Sequence, residues 1–295
     1  MGEFNVGESF YQFCKNLNFS GTDIATIRSR YHRITGRINA DYWNLDSETE
    51  HSLYVGSYGR DTEILSSDID MLVRLPYKTY EKFNGYSSNG QSALLQEVKK
   101  CIEKTYSGTK LKADGQIISL PFSDGINFEV LPAFLNNDGT YTFANSNDGG
   151  SWKVTDPKAE IGVVQEMNDA CNKNLKRLCR MARAWRDENS VDISGILIDI
   201  LAYNFISTWE HRDKSYYYYD WMTRDFMQYI SDQPISQIKW KVMGSGRYIY
   251  WYGSFQSKAK SAYDKACEAI SDEKKYPSCA QSEWREIYGN EFPLL

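Results

Sequence analysis

Gly56-Ser57-Tyr58-Gly59-Arg60-Asp61-Thr62, followed shortly by Ser67-Asp68-Ile69-Asp70-Met71-Leu72-Val73, decides how this chain is read. The first part is a turn of small residues that can receive a phosphate. The second is a strand carrying carboxylates at i and i+2. Side chains alternate along a strand, so Asp68 and Asp70 project from one face. Ile69, Met71, Val73 and Leu75 fall on the other, toward a core. Two carboxylates held this way suit Mg²⁺, which takes oxygen ligands and keeps positions for waters and substrate phosphates.

A second segment supplies a third acid. In Ile126-Asn127-Phe128-Glu129-Val130-Leu131-Pro132, Ile126, Phe128 and Val130 share one face and Glu129 takes the opposite one. Pro132 is expected to stop this strand or confine it to an edge. Beside the first strand, Glu129 brings three carboxylates onto two metal ions, which clamps the attacking and leaving oxygens of an in-line phosphoryl displacement. Asp124 is the substitute if Glu129 is a bystander. An isolated Asp-x-Asp or Gly-Ser is ordinary on solvated strands and turns. The ordered combination is specific, with Asp68 eleven residues beyond Ser57 and an acid-bearing apolar strand after it.

Composition sets bounds. A chain of 295 residues can bury a sizeable core as one large domain or two lobes. Hydrophobic content of 41% and a mean hydropathy of −0.57 describe a water-soluble protein, and no apolar run reaches the length of a membrane span. The N-terminus lacks the basic start and apolar stretch of a signal peptide, and Val6 stands where a myristoylation signal needs Ser or Thr. Six cysteines without a C-x-x-C, beside three histidines, argue against a zinc module and for reduced thiols in the cytoplasm. A net charge of −5 argues against broad DNA or RNA binding, which needs a cationic surface.

Along the chain, Ile24, Ile27, Tyr31, Ile34, Ile38 and Tyr42 predict an amphipathic helix over 22–42, capped by Thr22 or Asp23, as a spine bridging both lobes. Strands are expected at 51–58, 67–75, 115–122 and 126–132, a helix at 91–106, and a turn with a short strand at 136–143. From about 160 the chain reads as helical. The tyrosine run at 215–221 reads as packing. A helix over 165–187 buries Cys171, Leu175, Leu178, Ala182 and Trp185, with Lys176, Arg180 and Arg183 sharing another face. Taken alone, that face is an ordinary solvated basic surface.

The Gly-Ser, Asp-x-Asp and acid pattern resembles the DNA polymerase β-like nucleotidyltransferase superfamily. Within it, GSYGRDTEILSSDIDMLVRLP (56–76) is similar to the bacterial cGAS/DncV-like nucleotidyltransferases of cyclic-oligonucleotide antiphage signalling. GGSWKVTDPKAEI (149–161), RAWRDE (183–188) and WREIYGNEFP (284–293) carry the same resemblance, which runs from about residue 50 to the end.

The resemblance implies an α+β fold: a mixed-sheet catalytic lobe with the spine helix at 1–160 and a helical lobe at 161–295 that closes a nucleotide cleft. It implies that Gly56 and Ser57 hold the donor phosphates, and that Asp68, Asp70 and Glu129 bind two Mg²⁺ ions, with Mn²⁺ as a substitute, and carry catalysis. Arg180 and Arg183 occupy the positions that hold the donor triphosphate in relatives, with Lys176 beside them. Ser194 stands where relatives contact phosphate, Gly195 where many carry a base-stacking aromatic, and Asp199 where Glu is common; Asp199 reads as structural. The implied activity joins nucleoside triphosphates, ATP and GTP among them, into a cyclic oligonucleotide, with a purine-containing cyclic dinucleotide as the leading product. A downstream effector would read it and accessory proteins would regulate it, with no membrane partner. The alternatives are nucleotidyl transfer to an RNA end, a protein or a small molecule, and an inactive nucleotide-binding scaffold.

Overall fold

A computed structural model describes residues 5–66 and 68–294. In chain order, α1 (Val6–Asn16) and α2 (Gly21–Ile38) precede β1 (Ser52–Tyr54), the short α3 (Gly56–Arg60) and β2 (Ile69–Arg74). Then come α4 (Tyr77–Asn84), α5 (Gly90–Glu103), β3 (Lys112–Asp114), β4 (Ile117–Leu120), β5 (Phe128–Leu135), β6 (Tyr141–Asn145) and β7 (Ser151–Thr155). The remainder is α6 (Pro157–Ala170), α7 (Asn174–Glu188), α8 (Gly195–Thr208), α9 (Tyr219–Ser231), the hairpin β8 (Lys239–Lys241) and β9 (Tyr248–Tyr250), α10 (Gln256–Asp272) and α11 (Pro277–Tyr288).

The chain forms two compact units. The sheet unit comprises 19–60 and 66–161; the helical unit comprises 1–18, 61–65 and 162–295. The observed partition therefore gives the first helix, and five residues between α3 and β2, to the helical unit.

In the sheet unit the strand order is β1-β2-β5-β4-β3, with β6 and then β7 extending from β5. β2 and β5 run parallel and their neighbours are antiparallel. One face is thickly covered: Ile69, Met71, Val73, Ile118, Phe128 and Val130 pack against Ile27, Ile34 and Ile38 of α2 and Leu94, Val98 and Ile102 of α5. The other face is thinner, a small cluster of Val55, Leu72, Ala133, Tyr141 and Phe143. The even-numbered side chains of β2, Asp70 among them, lie on that thin face.

Pro132 neither ends β5 nor marks an edge. β4 pairs with residues 128–130 of β5 and β6 with residues 133–135, so Pro132 sits at the handover, where that side of the strand has no partner to serve. The spine helix also differs from expectation. Ser20 is its cap, in a reciprocal capping box with Asp23, and after Ile38 it widens into a π-turn at Asn39–Trp43. It packs within the sheet unit, against α5 and β2. The residue expected to open the acid strand, Ser67, lies outside the described residues.

The helical unit is built on apolar stripes. Leu175, Leu178, Ala182 and Trp185 of α7 are buried as expected, together with α8 and α9. The expected single helix over 165–187 is two helices, broken where Asn172 and Lys173 take left-handed backbone. α1 belongs to this core. The fully buried Phe10 meets Trp284 and Phe292 edge-on at 5.1 and 5.2 Å, and Phe13 packs on Tyr288. Thus the WREIYGNEFP tail and the N-terminal helix share one aromatic cluster. Phe10→Ala is expected to cost about 3–5 kcal/mol, read by denaturant unfolding of the purified chain. A loss below about 1 kcal/mol would show that α1 is not part of this core.

Candidate functional site

β2 and β5 are neighbours in parallel register, and Asp70 lies directly opposite Glu129. Both project from the thin face and both are half-buried. The two side chains lie close enough to act directly on each other. Burial, then the Glu129 charge, pushes Asp70 up to about 7; Arg60 and the Ser57 backbone N–H, which donates to the Asp70 carboxylate, pull the other way. Burial, then the Asp68 charge, raises Glu129 above the usual carboxylate range. This is the signature of like charges confined in a poorly solvated place.

Gly56 makes the close approach possible. Its φ is +58°, and a Cβ there would fall on the Asp70 carboxylate. Only glycine satisfies both the left-handed backbone and the missing volume. The Gly-Ser turn is therefore seated on the second acid, with Ser57 half-buried in α3. The Val55 N–H donates to the Asp70 carbonyl at 3.0 Å, which fixes the approach of β1 to β2.

Asp68 is exposed, one residue before β2 begins, and accepts a hydrogen bond from Asn127 Nδ2 at 3.2 Å. Among the described residues no three His, Cys, Asp or Glu side chains are gathered as a formed metal centre. The three acids thus share one neighbourhood but are not converged, with Asp68 engaged by the Asn127 amide. The donor set suits a hard divalent cation: carboxylate oxygens only, on rigid strands, two of them short of positive charge. Asp124 is not a candidate. Both its oxygens are taken by the Arg30 guanidinium, at 2.6 and 3.0 Å.

Arg60 was missed by sequence reasoning. It is buried, pairs with the buried Glu160 at 3.4 Å, and supplies positive charge next to Asp70. Its partner is a hundred residues away, so no local spacing signals it.

In the helical unit the basic helix is arranged differently from expectation. Arg183 does not share an exposed face with Lys176 and Arg180: it is 1% exposed, donates to Asp199 Oδ1 at 2.6 Å, and bonds the carbonyls of Cys179 and Gly195. Packing of α7 on α8 takes that flank into the core, where a charge persists only when paired. Asp199 is structural, as expected, and also accepts from Thr62 at 3.0 Å. Lys176 and Arg180 both pair with Asp61, and Arg180 Nε donates to the Glu63 carbonyl. Ser194 caps α8, accepting from the Leu197 N–H.

Comparisons with known proteins agree with this architecture. The family described as Second Messenger Oligonucleotide or Dinucleotide Synthetase domain matches residues 4–168. A protein named probable cyclic nucleotide synthase from Bacillus cereus (strain VD146) is 24% identical over 181 residues, 56% of this chain and 51% of that protein. The match thus spans about half of that relative's length. A protein named cyclic AMP-AMP-AMP synthase from Acinetobacter sp. (strain ATCC 27244 / 9458) is 20% identical over 257 residues, 82% of this chain and 73% of that one. The apo crystal structure of Vibrio cholerae DncV superposes with a TM-score of 0.70 at 13% identity, covering 97% of this chain and 96% of that one. This places the chain in the DncV-type, polymerase β-like fold.

Two predictions follow from the geometry. An acid raised in the folded state stabilises the fold below the ordinary carboxylate range and loses that contribution as pH rises through about 7. In chelator at about pH 8, Asp70→Asn should therefore melt a few degrees above the wild type, and the gap should narrow toward about pH 5; a lower melting point at pH 8 would contradict the repulsion. Arg183→Ala removes the buried cation that faces Asp199 and should cost about 3–5 kcal/mol by equilibrium unfolding. Unchanged stability would return Arg183 to the solvated face.

Proposed function

This chain belongs to the Second Messenger Oligonucleotide or Dinucleotide Synthetase family, and on that premise we propose that it is a magnesium-dependent nucleotidyltransferase that joins nucleoside triphosphates into a cyclic oligonucleotide. The observation that carries the proposal is the Asp70–Glu129 register with Gly56 seated on Asp70. A site built from crowded carboxylates beside a small-residue turn suits a cation-bridged phosphate.

Asp68, Asp70 and Glu129 are the residues that would hold magnesium. When bound, the metal supplies the positive charge these acids lack and polarises phosphate oxygens. The chain's own contributions are separable. The Ser57 hydroxyl and nearby backbone N–H groups hold and orient the β- and γ-phosphates of the donor. Glu129, whose proton affinity is already raised, takes the proton of the acceptor ribose hydroxyl at its carboxylate. That hydroxyl oxygen forms the new bond to the α-phosphorus as the bond to pyrophosphate breaks. Arg183 has no direct part; it holds α7 against α8. A second transfer within the linear product closes the ring.

We assign a purine-containing cyclic dinucleotide as product, and antiphage signalling through a separate effector as the setting. Support for both comes from the family alone. The Acinetobacter relative, a protein named cyclic AMP-AMP-AMP synthase, makes a three-membered ring the second reading.

The test is incubation with all four ribonucleoside triphosphates and Mg²⁺, read by mass spectrometry. Wild-type protein should release pyrophosphate and a cyclic product. Asp68→Asn with Asp70→Asn should release none while keeping the wild-type circular dichroism. Glu129→Gln should retain triphosphate binding and lose turnover. A linear or macromolecule-linked product would move the chain to another nucleotidyltransferase class, and binding without any turnover in the wild type would make it a scaffold.

A further inference from the structure

Away from the acids, the helical unit contains a small cavity of about 170 Å³ lined by Cys14, Lys15, Asn18, Arg177, Arg180 and Tyr216. Three of its six lining side chains are cations, and they come from two helices, α1 and α7. That volume holds several waters' worth of space, enough for one compact polyatomic ion.

The charge of the lining is not balanced from within. Arg177 donates to the Asn172 carbonyl, to Asn174 Oδ1 and to the Tyr219 hydroxyl, all neutral acceptors. Its guanidinium also lies 4.8 Å over the Tyr216 ring. Lys15 Nζ sits 4.1 Å over the Tyr11 ring. Among the described residues neither cation has a carboxylate partner, in contrast to Arg180, which is offset by Asp61 and Glu63. Cys14 and Tyr216 supply no anion: burial raises both, the thiol to about 12, so each stays neutral at physiological pH. The cavity therefore has two uncompensated positive charges and a third on its wall, with polar and aromatic surface between them.

A small concave site with two uncompensated positive charges fits a tetrahedral dianion better than a singly charged carboxylate, because the dianion matches both charges and offers oxygens to donors on both helices. We propose that this cavity is an anion site of the helical unit that takes one phosphate group, free or carried on a nucleoside monophosphate, between Lys15, Arg177 and Arg180. Arg180 lines this cavity as well, but the variants that test it are at Lys15 and Arg177, which take no part in the nucleotidyl transfer proposed above, so failure here leaves that reading standing.

Calorimetry in chelator, with no divalent cation, tests this with inorganic phosphate and adenosine monophosphate as the two probes. The wild type should bind at least one of them saturably. Lys15→Glu, on an exposed side chain that folding does not need, and Arg177→Gln should each bind about ten- to a hundred-fold more weakly. Asp70→Asn should bind as the wild type does. Tighter binding of the monophosphate identifies a nucleotide-borne phosphate, and equal or weaker binding identifies the free ion. No saturation with either probe, unchanged affinity in Lys15→Glu, or loss of binding in Asp70→Asn would each overturn the assignment.

Discussion

Two carboxylates facing each other across parallel strands set the terms for the sheet unit. Strand register places Asp70 beside Glu129, and a one-residue slip of β2 would send Asp70 to the packed face. Having put two acids together, the fold relieves them only in part. Arg60 lends charge, held from behind by Glu160; the Ser57 N–H lends a hydrogen bond; Gly56 lends room. None of these neutralises the pair. The apolar packing of α2 and α5 on the opposite face carries the stability that lets the acid face stay poor in charge compensation. The site is left with more negative charge than its surroundings balance.

The helical unit treats charge in the opposite way. Arg183, Asp199 and Thr62 form a closed buried network, and Arg183 spends its remaining donors on the carbonyls of Cys179 and Gly195. Such a pair adds little net stability but is costly to break, so it fixes how α7 meets α8. One turn away, Arg180 and Lys176 are tied to Asp61, whose own carboxylate is more than half exposed. Charges on one helix thus divide into one closed off at 1% exposure and two left at 11% and 14%, according to what packs over them.

Much of this was readable from the chain. Alternation of Asp68 and Asp70 with Ile69, Met71 and Val73 gave the acid face and the core face, and Ile126, Phe128 and Val130 placed Glu129 with them. The stripe of Leu175, Leu178, Ala182 and Trp185 and the structural role of Asp199 also hold. What was illegible depends on long-range packing. Pro132 reads as a terminator until β4 and β6 are seen to exchange places beside it. The left-handed residues that split α6 from α7 are Asn172 and Lys173, not glycine, so only Asn172 hints at the break and the second left-handed residue carries no local signal. Helical spacing puts Arg183 in line with Arg180, but which flank of α7 is covered is decided by α8. Arg60 and α1 belong to the same class, each having partners far away in sequence.

The measurement closest to the central claim is a carboxyl ¹³C NMR titration of the metal-free protein, with Asp70 and Glu129 assigned through their Asn and Gln variants. The pair should release its last proton near pH 7, and millimolar Mg²⁺ should drive this step downward by binding the deprotonated carboxylates. Titration of both groups near the ordinary carboxylate range, unmoved by Mg²⁺, would contradict it.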